Sequence, residues 1–589
     1  MTTLGLLLAV SAPFLAAPLL FLRGRPGAVA RAVAPWAALP ALLLSAVPVD
    51  FPEIELPWLL IGSRFELDPV GRIFLIVAAL LWTTAGVYAR GYIDGPGRKR
   101  FLFYFLVTMS GNLGVTVAAD AISFYFFFAL MTFAGYGLIV YRRDSTARRA
   151  GHVYLVLAVA GEAILLVGLL LAARAAGTNE IAAIPAGVAS SGAVGVTTLC
   201  LLLGFAIKAG AVPLHVWLPL AHPVAPTPAS AVLSGSMINA GVLGWLRFLP
   251  LGEIALPGWG TTLIALGLLA AFFGVLVGVT QIESKTVLAY SSISQMGLMN
   301  MGVGVALAVP AAAVPMIAAI TLFAAHHGLA KAALFLGAGI VGARGQSPMM
   351  QRAVIFGLTL SALTLAGVPL TSGHLAKHQL KAMMPLAPEP WPLWLDLLIP
   401  LSAAATTLLM LRFLVVTVAT RGDENSHSFS AGLWAPWVVL LGGSAVSLWT
   451  LPRIYPVGSG APPALAYPDS VLLDTLPVVG TVALCWLLAR RWKELSRVAD
   501  RPMIAPGDIL GPVEAWLRST TMHDRLLEPI ARPGLVPGLA RRWYRLYSES
   551  DSGDALIRLE LRLTRWAAGS ALLLLLTAAL LVLIAGGFG

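Results

Sequence analysis

The sequence predicts an all-α polytopic membrane protein with about sixteen transmembrane helices. Three observations lead there. The 589 residues are 58% hydrophobic and only 11% charged, with a mean hydropathy of +0.84, roughly half the charge of a soluble protein. Apolar runs of about 20 residues recur throughout, each enough to cross a ~30 Å hydrocarbon layer. Lysine and arginine gather between alternate runs, so the net charge of +11 reads as a topology signal and not as a nucleic-acid surface. The two cysteines, Cys200 and Cys485, lie in apolar runs. They are too few for an iron–sulfur or zinc centre, and no P-loop or dinucleotide fingerprint occurs. No cofactor and no metal site is expected on this chain.

The apolar runs place helices near 3–21, 28–47 and 70–89 before the first basic cluster of "GRKR". The first run lacks a basic start, so it reads as an uncleaved helix and not a signal peptide. Helices near 101–118, 121–141, 152–173, 195–221 and 227–249 follow, then 259–280, 286–308, 311–342, 353–384 and 391–419. Helices near 431–451, 470–490 and 566–588 complete the set. With the N-terminus outside, Arg23, Arg25, Arg31, Arg90, Arg98, Lys99, Arg100, Arg142, Arg143, Arg148 and Arg149 fall in inner loops. So do Lys285, Arg344, Arg352, Arg421, Arg490, Arg491, Lys493, Arg497 and Arg501. The outer loops keep Arg64, Arg174, Arg247, Lys381 and Arg453. Both termini are thus expected on the outer side of an inner (plasma) membrane. Residues 491–565 are polar and interrupted by Pro502, Pro506, Pro512, Pro529, Pro533 and Pro537. They read as an inner-side connector with short amphipathic pieces.

Seven lysines stand against 32 arginines, yet Lys208, Lys331 and Lys377 lie inside expected membrane helices. Arginine keeps its proton in proteins, whereas a desolvated lysine can give one up, so the choice of lysine points to proton exchange. Two of the three adjoin helix breakers. "IKAGAVPLHVWLPLAH" carries Pro213 and Pro219, and "TLAGVPLTSGHLAKHQLK" carries Pro369 and Gly373. Two interrupted helices at corresponding places suggest an internal repeat whose unwound midplane segments admit water and polar groups. Between them, in "FAAHHGLAKAALFLGAG", His327 and Lys331 are four residues apart and share a helix face at about 6 Å. His326, His215, His222, His374 and His378 flank the three lysines as auxiliary candidates. No cysteine or paired carboxylate completes a metal set among them. Static pairing or snorkelling is the structural alternative for the lysines.

Glu162 is the acid expected deep within a helix, about ten residues or ~15 Å from the inner edge. Lys208 lies at a similar estimated depth, so Glu162 is its expected charge partner, directly or through one water. Asp120 reads as an N-cap, and Arg412 as a snorkelling side chain.

The stretches "AIKAGAVPLHVWLPLAHPVAPTPASAVLSGSMINAG", "QIESKTVLAYSSISQMG", "HHGLAKAALFLGAGIV" and "AGVPLTSGHLAKHQL" resemble the antiporter-like membrane subunits of respiratory complex I. That superfamily also includes Mrp-type cation/proton antiporter subunits and the large membrane subunit of formate-hydrogenlyase-type hydrogenases. The resemblance covers about residues 100–420. It implies two inverted five-helix repeats, 101–250 and 259–419, each with a broken helix and a proton half-channel. Residues 1–100 would precede them, with 420–490, the 491–565 connector and a C-terminal helix at 566–589 after them. By resemblance Lys208 is the lysine of the first broken helix, His327 and Lys331 the central pair, and Lys377 the lysine of the second. Two positions depart from the family's pattern: Ala129 stands where a glutamate is usual, and Asn239 where a lysine sometimes is. Glu162 is read as supplying the missing carboxylate, the alternative being a degenerate first half-channel.

The resulting expectation is a proton-translocating subunit without catalytic residues of its own. It would sit among other membrane subunits of a respiratory, hydrogenase or antiporter complex, moving protons and, as alternatives, Na+ or K+. The sequence leaves open a stand-alone secondary transporter of ions or solutes and a quinone-binding redox subunit.

Overall fold

Polar side chains mark where helices begin. Asp68, Asp120, Asp144, Ser347 and Thr371 each accept a backbone N–H from the first turn that follows, satisfying donors a helix start leaves open. Asp120 does so for Ile122 and Ser123 at 3.0 and 2.8 Å, the capping role its position suggested. Gly177, Gly210 and Gly367 end helices in the left-handed conformation.

The computed structural model describes residues 3–47, 49–60, 62–95, 97–419, 428–454, 468–491 and 502–511. Three N-terminal helices, α1 (Thr3–Leu19), α2 (Gly24–Val33) and α3 (Leu39–Ala46), precede α4 (Pro69–Tyr92). A first set follows: α5 (Arg98–Val117), α6 (Ala121–Ile139), α7 (Ser145–Ala176), the short α8 (Ile184–Ala189), α9 (Val194–Ala209), α10 (Trp217–Val224), α11 (Thr227–Val232) and α12 (Asn239–Phe248). A second set comprises α13 (Pro257–Gly278), α14 (Ser284–Ala308), α15 (Ala313–Val341), α16 (Pro348–Ala366), α17 (Ser372–Ala382) and α18 (Trp391–Ala419). Then come α19 (Ala431–Ile454) and α20 (Pro468–Arg491). The neighbours correspond between the sets: α5 packs on α6 as α13 does on α14, α7 on α9 as α15 on α16, and α12 on α9 as α18 on α16.

Among the described residues, ten helices are long and apolar enough to span a membrane. Four apolar helices are shorter, at Gly5–Leu19, Val194–Ala209, Ala431–Ser447 and Thr475–Leu488. The expected helix at 566–588, most of the 491–565 connector and Arg421 lie outside the described residues. Residues 56–62 and 507–589 form a second unit, of which 56–60, 62 and 507–511 are described.

The centre of the first unit is α14 with α15. Residues 286–308 and 318–337 are buried without interruption, as expected for a helix surrounded by protein on every side. The first set reaches this centre where the expected 227–249 helix is not regular: Leu233–Met237 form a π-turn. There Gly235 meets Gly328 of α15, and a Cβ on either would fall within 2.8 Å of the other's carbonyl oxygen.

Several expected assignments change. The first break spans residues 210–216, around Gly210 and Pro213, and Pro219 lies inside α10. The second lies at Gly367–Thr371. Gly373 belongs to α17, where its lack of a side chain lets α17 approach Thr364, whose carbonyl oxygen would sit 1.7 Å from an added Cβ. Arg247 is no loop residue. It is buried in α12, donates to the carbonyls of Val115, Thr116 and Ala118 at 2.9–3.1 Å, and pairs with Asp68 at 2.9 Å. Lys285 is in the first turn of α14, its ammonium 2.7 Å from the Ala225 carbonyl. Arg412 donates to the carbonyl of Gln281, in the loop between α13 and α14, at 2.9 and 3.1 Å, in keeping with its expected reach toward the membrane edge.

Candidate functional site

Three buried lysines stand at three places in the bundle. At the first break, α9 stops because Gly210 takes φ +67° and Pro213 cannot donate to a continuing helix. Trp217, opening α10, donates its indole N–H to the Ile207 carbonyl at 2.8 Å and so satisfies part of the interrupted ladder. Lys208 occupies the last turn of α9, 4% exposed. Its ammonium is 3.5 Å from the Tyr154 hydroxyl and lies 5.4 and 5.7 Å from the Phe128 and Tyr154 ring centres, within cation–π range. Tyr154 donates its own proton to the Thr132 carbonyl at 2.7 Å, leaving lone pairs to accept from Lys208.

Glu162, on α7, lines the same cavity as Lys208, Tyr154 and Thr132. The open space there is ≈ 10 Å³, about the room of one water. Both carboxylate oxygens of Glu162 are buried and without a hydrogen bond, and no ion pair joins them to Lys208 among the described residues. Ala129, half-buried on α6, contributes nothing polar.

At the centre, Lys331 is fully buried on α15. Its ammonium donates to the Leu288 carbonyl at 2.8 Å and to the Ser291 hydroxyl, both on α14. Ser292, beside it, exchanges a hydrogen bond of 2.8 Å with Ser234 in the π-turn, so hydroxyls of both sets meet next to this lysine. His327, one turn before Lys331, is fully buried with neither ring nitrogen bonded. His222 is likewise unbonded through its ring, which stands 4.9 Å from that of Phe335. Asn239 donates to the carbonyls of Gly235 and Ala324 at 2.9 and 3.1 Å. It lines a second ≈ 10 Å³ cavity with Asn112, Thr116 and Ser236.

At the second break, Gly367 ends α16 at φ +92° and Thr371 caps α17. Lys377, 8% exposed, reaches back from α17 to the Ala366 carbonyl at 2.9 Å. A cation there faces the carbonyl end of a half-helix, a favourable dipole position. The two breaks correspond, but their lysines do not: Lys208 precedes its break and Lys377 follows its own. His326 contacts the Ser372 hydroxyl through Nδ1 at 3.0 Å, and the rings of His374 and His378 stack with centres 5.9 Å apart. His215, within the first break, meets Phe273 of α13 edge-on with ring centres 5.3 Å apart. Among the described residues no three His, Cys, Asp or Glu side chains are grouped to hold a metal.

Sequence reasoning missed Tyr154, Ser291 and Arg247. Tyr154 was detectable, since Tyr154, Ala158 and Glu162 repeat every four residues on one face of α7. Ser291 lies in the serine-rich start of α14, which offered a polar signal but not a partner.

The comparisons follow this geometry. Residues 118–391 match the family model described as NADH:quinone oxidoreductase/Mrp antiporter, TM. Hydrogenase-4 component B of Escherichia coli is 30% identical over 318 residues, covering 52% of this chain and 46% of that protein. A putative antiporter subunit mnhA2 of Staphylococcus saprophyticus is 32% identical over 364 residues, covering 57% of this chain and 45% of that one. The match thus spans about half the length of these relatives. Among solved structures, the Mrp complex from Dietzia sp. covers 96% of this chain and 63% of the matched chain, with TM-score 0.70 and 21% identity. An archaeal membrane-bound sulfane sulfur reductase covers 81% and 99%, with TM-score 0.62 and 19% identity. At such identities the likeness is one of fold. The chain is a multi-pass helical membrane protein, and its residues 118–391 are similar to the NADH:quinone oxidoreductase/Mrp antiporter membrane family.

Proposed function

We propose that this chain is a proton-translocating, antiporter-like subunit of a multisubunit membrane complex. Protons would pass along Lys208, His327, Lys331 and Lys377, with Glu162 tuning the first lysine. One observation carries the reading. Each of the three buried ammonium groups is held by a neutral acceptor: the Tyr154 hydroxyl, the Leu288 carbonyl with Ser291, and the Ala366 carbonyl. None has an ion-pair partner among the described residues. A static buried lysine is normally paired, because breaking a buried pair strands a charge. Lys331 and Lys377, held by neutral oxygens alone, can lose a proton without leaving an anion uncompensated, and that is the property a carrier needs; at Lys208 the Glu162 carboxylate in the same cavity would set how readily the proton leaves.

The named relatives, a hydrogenase component and an antiporter subunit, support placement beside other membrane subunits. The cargo in this reading is protons, with Na+ or K+ as alternative exchange ions, and the lysine and arginine distribution supports an inner membrane with both termini outside. Replacement of Lys331 by alanine tests the reading in inverted vesicles. The variant should assemble normally and lose proton transport, since no neighbouring group replaces the carrier. Wild-type transport with normal assembly would refute it.

A further inference from the structure

Residues 491–565 read as an inner-side connector, and the lysine chain gives them no task. Their described stretch within the first unit is 502–506. Gln281, in the loop between α13 and α14, donates from its side-chain amide to the Ile504 carbonyl of that stretch at 3.0 Å. Met503, Ile504, Ala505 and Pro506 are exposed, so the stretch is held by its backbone at Ile504 more than by buried side chains. Gln281 itself is 1% exposed. Its amide also donates to the Val277 carbonyl and the Thr280 hydroxyl, both at 3.1 Å, which fixes the direction of the side chain. Its backbone carbonyl accepts from Arg412 of α18.

The loop that carries Gln281 joins two helices that cannot slide past one another. A Cβ on Gly260 would lie 2.5 Å from the Gly304 carbonyl oxygen, and one on Gly304 2.6 Å from that of Gly260. Gly267 and Gly297 stand in the same reciprocal relation, at 2.5 Å each way, and a Cβ on Gly274 would lie 2.6 Å from the Tyr290 carbonyl oxygen. These three crossings span about 21 Å of α13. Ser294 adds a bond of 2.7 Å to the Ala271 carbonyl, and Asn300 one of 3.3 Å to that of Leu263. Backbones in direct contact over such a length move as one body. The same hairpin holds the central lysine. Leu288 and Ser291, the acceptors of Lys331, lie about 6 and 10 Å along α14 from its start. Between them and the loop, Lys285 reaches the Ala225 carbonyl after α10 at 2.7 Å.

We propose that Gln281 is a positioning residue for Lys331. By hooking residues 502–506 it fixes the inner end of the α13–α14 hairpin, and with it the height at which Leu288 and Ser291 meet the lysine. A rigid pair does not absorb a displacement at its end, and a shift of about 1 Å takes a bond of 2.8 Å out of hydrogen-bonding range. A pull on the connector therefore reaches the central lysine through one side-chain hydrogen bond. The consequence for transport rests on the proton-translocation reading; the hook itself does not.

The test uses the full chain in its native complex, with Cys200 and Cys485 replaced by alanine. Gln281→Leu keeps the size of the side chain and removes the amide. Proton transport in inverted vesicles should fall about two- to tenfold with assembly kept, the change equivalent to one net hydrogen bond. The combination Gln281→Cys with Ala505→Cys should show the same loss. A short bis-methanethiosulfonate joining the two thiols should bring the rate back toward wild type, and a reductant should lower it again. A purely local role of Gln281 in folding the loop would not respond to the cross-linker. Wild-type transport in Gln281→Leu, or a completed cross-link that leaves the rate unchanged, would overturn the proposal. Should these variants fail to assemble, Thr280→Cys with Ala505→Cys keeps Gln281 in place: the cross-link should form readily at no cost to transport, and its failure to form would also overturn the proposal. Wild-type transport in Lys331→Ala refutes the carrier reading, whereas a cross-link without effect on the rate refutes only the hook.

Discussion

Lys377→Arg separates a proton carrier from a structural cation. The wild-type ammonium sits 2.9 Å from the Ala366 carbonyl and is 8% exposed. A guanidinium reaches the same carbonyl end of α16 and keeps the favourable charge–dipole interaction, so the fold and assembly should survive. The ability to release a proton should not. In water the two groups differ by about 2–3.4 pK units, so the neutral fraction falls by a factor of roughly 100 to 2,500. That corresponds to about 3–5 kcal/mol against the deprotonated state at 1.36 kcal/mol per unit. If Lys377 must deprotonate in each cycle, transport should fall at least about 100-fold. The assay is fluorescence quenching of a pH-sensitive dye in inverted vesicles, with complex assembly checked by native electrophoresis. Lys377→Ala is the companion, losing both the proton and the contact with Ala366. Transport in the arginine variant within a few-fold of wild type would refute the reasoning and leave Lys377 as a helix-end cation.

Three further outcomes are expected. Glu162→Gln should slow transport on the order of tenfold, because the carboxylate no longer opposes desolvation of Lys208, and adding Ala129→Glu should restore part of the rate; unchanged transport in Glu162→Gln would remove Glu162 from the path. Arg247→Met should lower stability by about 2–3 kcal/mol, since it strands three carbonyls and the partly exposed Asp68 carboxylate. A melting temperature in detergent equal to wild type would show that the clamp contributes nothing. Cysteines at Gly177 and Ser145 should label from the outer and inner sides respectively, and the reverse pattern would invert the sidedness of both breaks.

Much of the fold was legible because its rules are local. Apolar length alone marks a helix that can satisfy its own backbone in lipid, so the helices at 70–89, 101–118, 121–141, 259–280 and 391–419 could be read from the chain within a few residues. The breaks were legible for the same reason, since glycine and proline act on their own turn. Pro213 and Pro369 lie within the breaks, whereas Pro219 and Gly373 fall inside helices, because a proline in the first turn of α10 and a glycine packed on Thr364 both remain compatible with helix. Depth arithmetic along α7 and α9 put Glu162 and Lys208 at a common level, and the two do share a cavity.

What the sequence by itself determined, then, is the long apolar helices, the two breaks beside Lys208 and Lys377, and the chemical kind of group buried along them. Only the tertiary structure decided which groups meet. Arg247 finds Asp68 across 179 positions, and Lys331 finds Ser291 across 40. The crossing of Gly235 over Gly328 brings Ser234 to Ser292. A lipid-embedded helix is nearly as apolar on every face, so its pattern carries little record of which side turns toward which neighbour. That choice is made by close packing at small residues and by hydrogen bonds between helices, which exist only once the helices have come together.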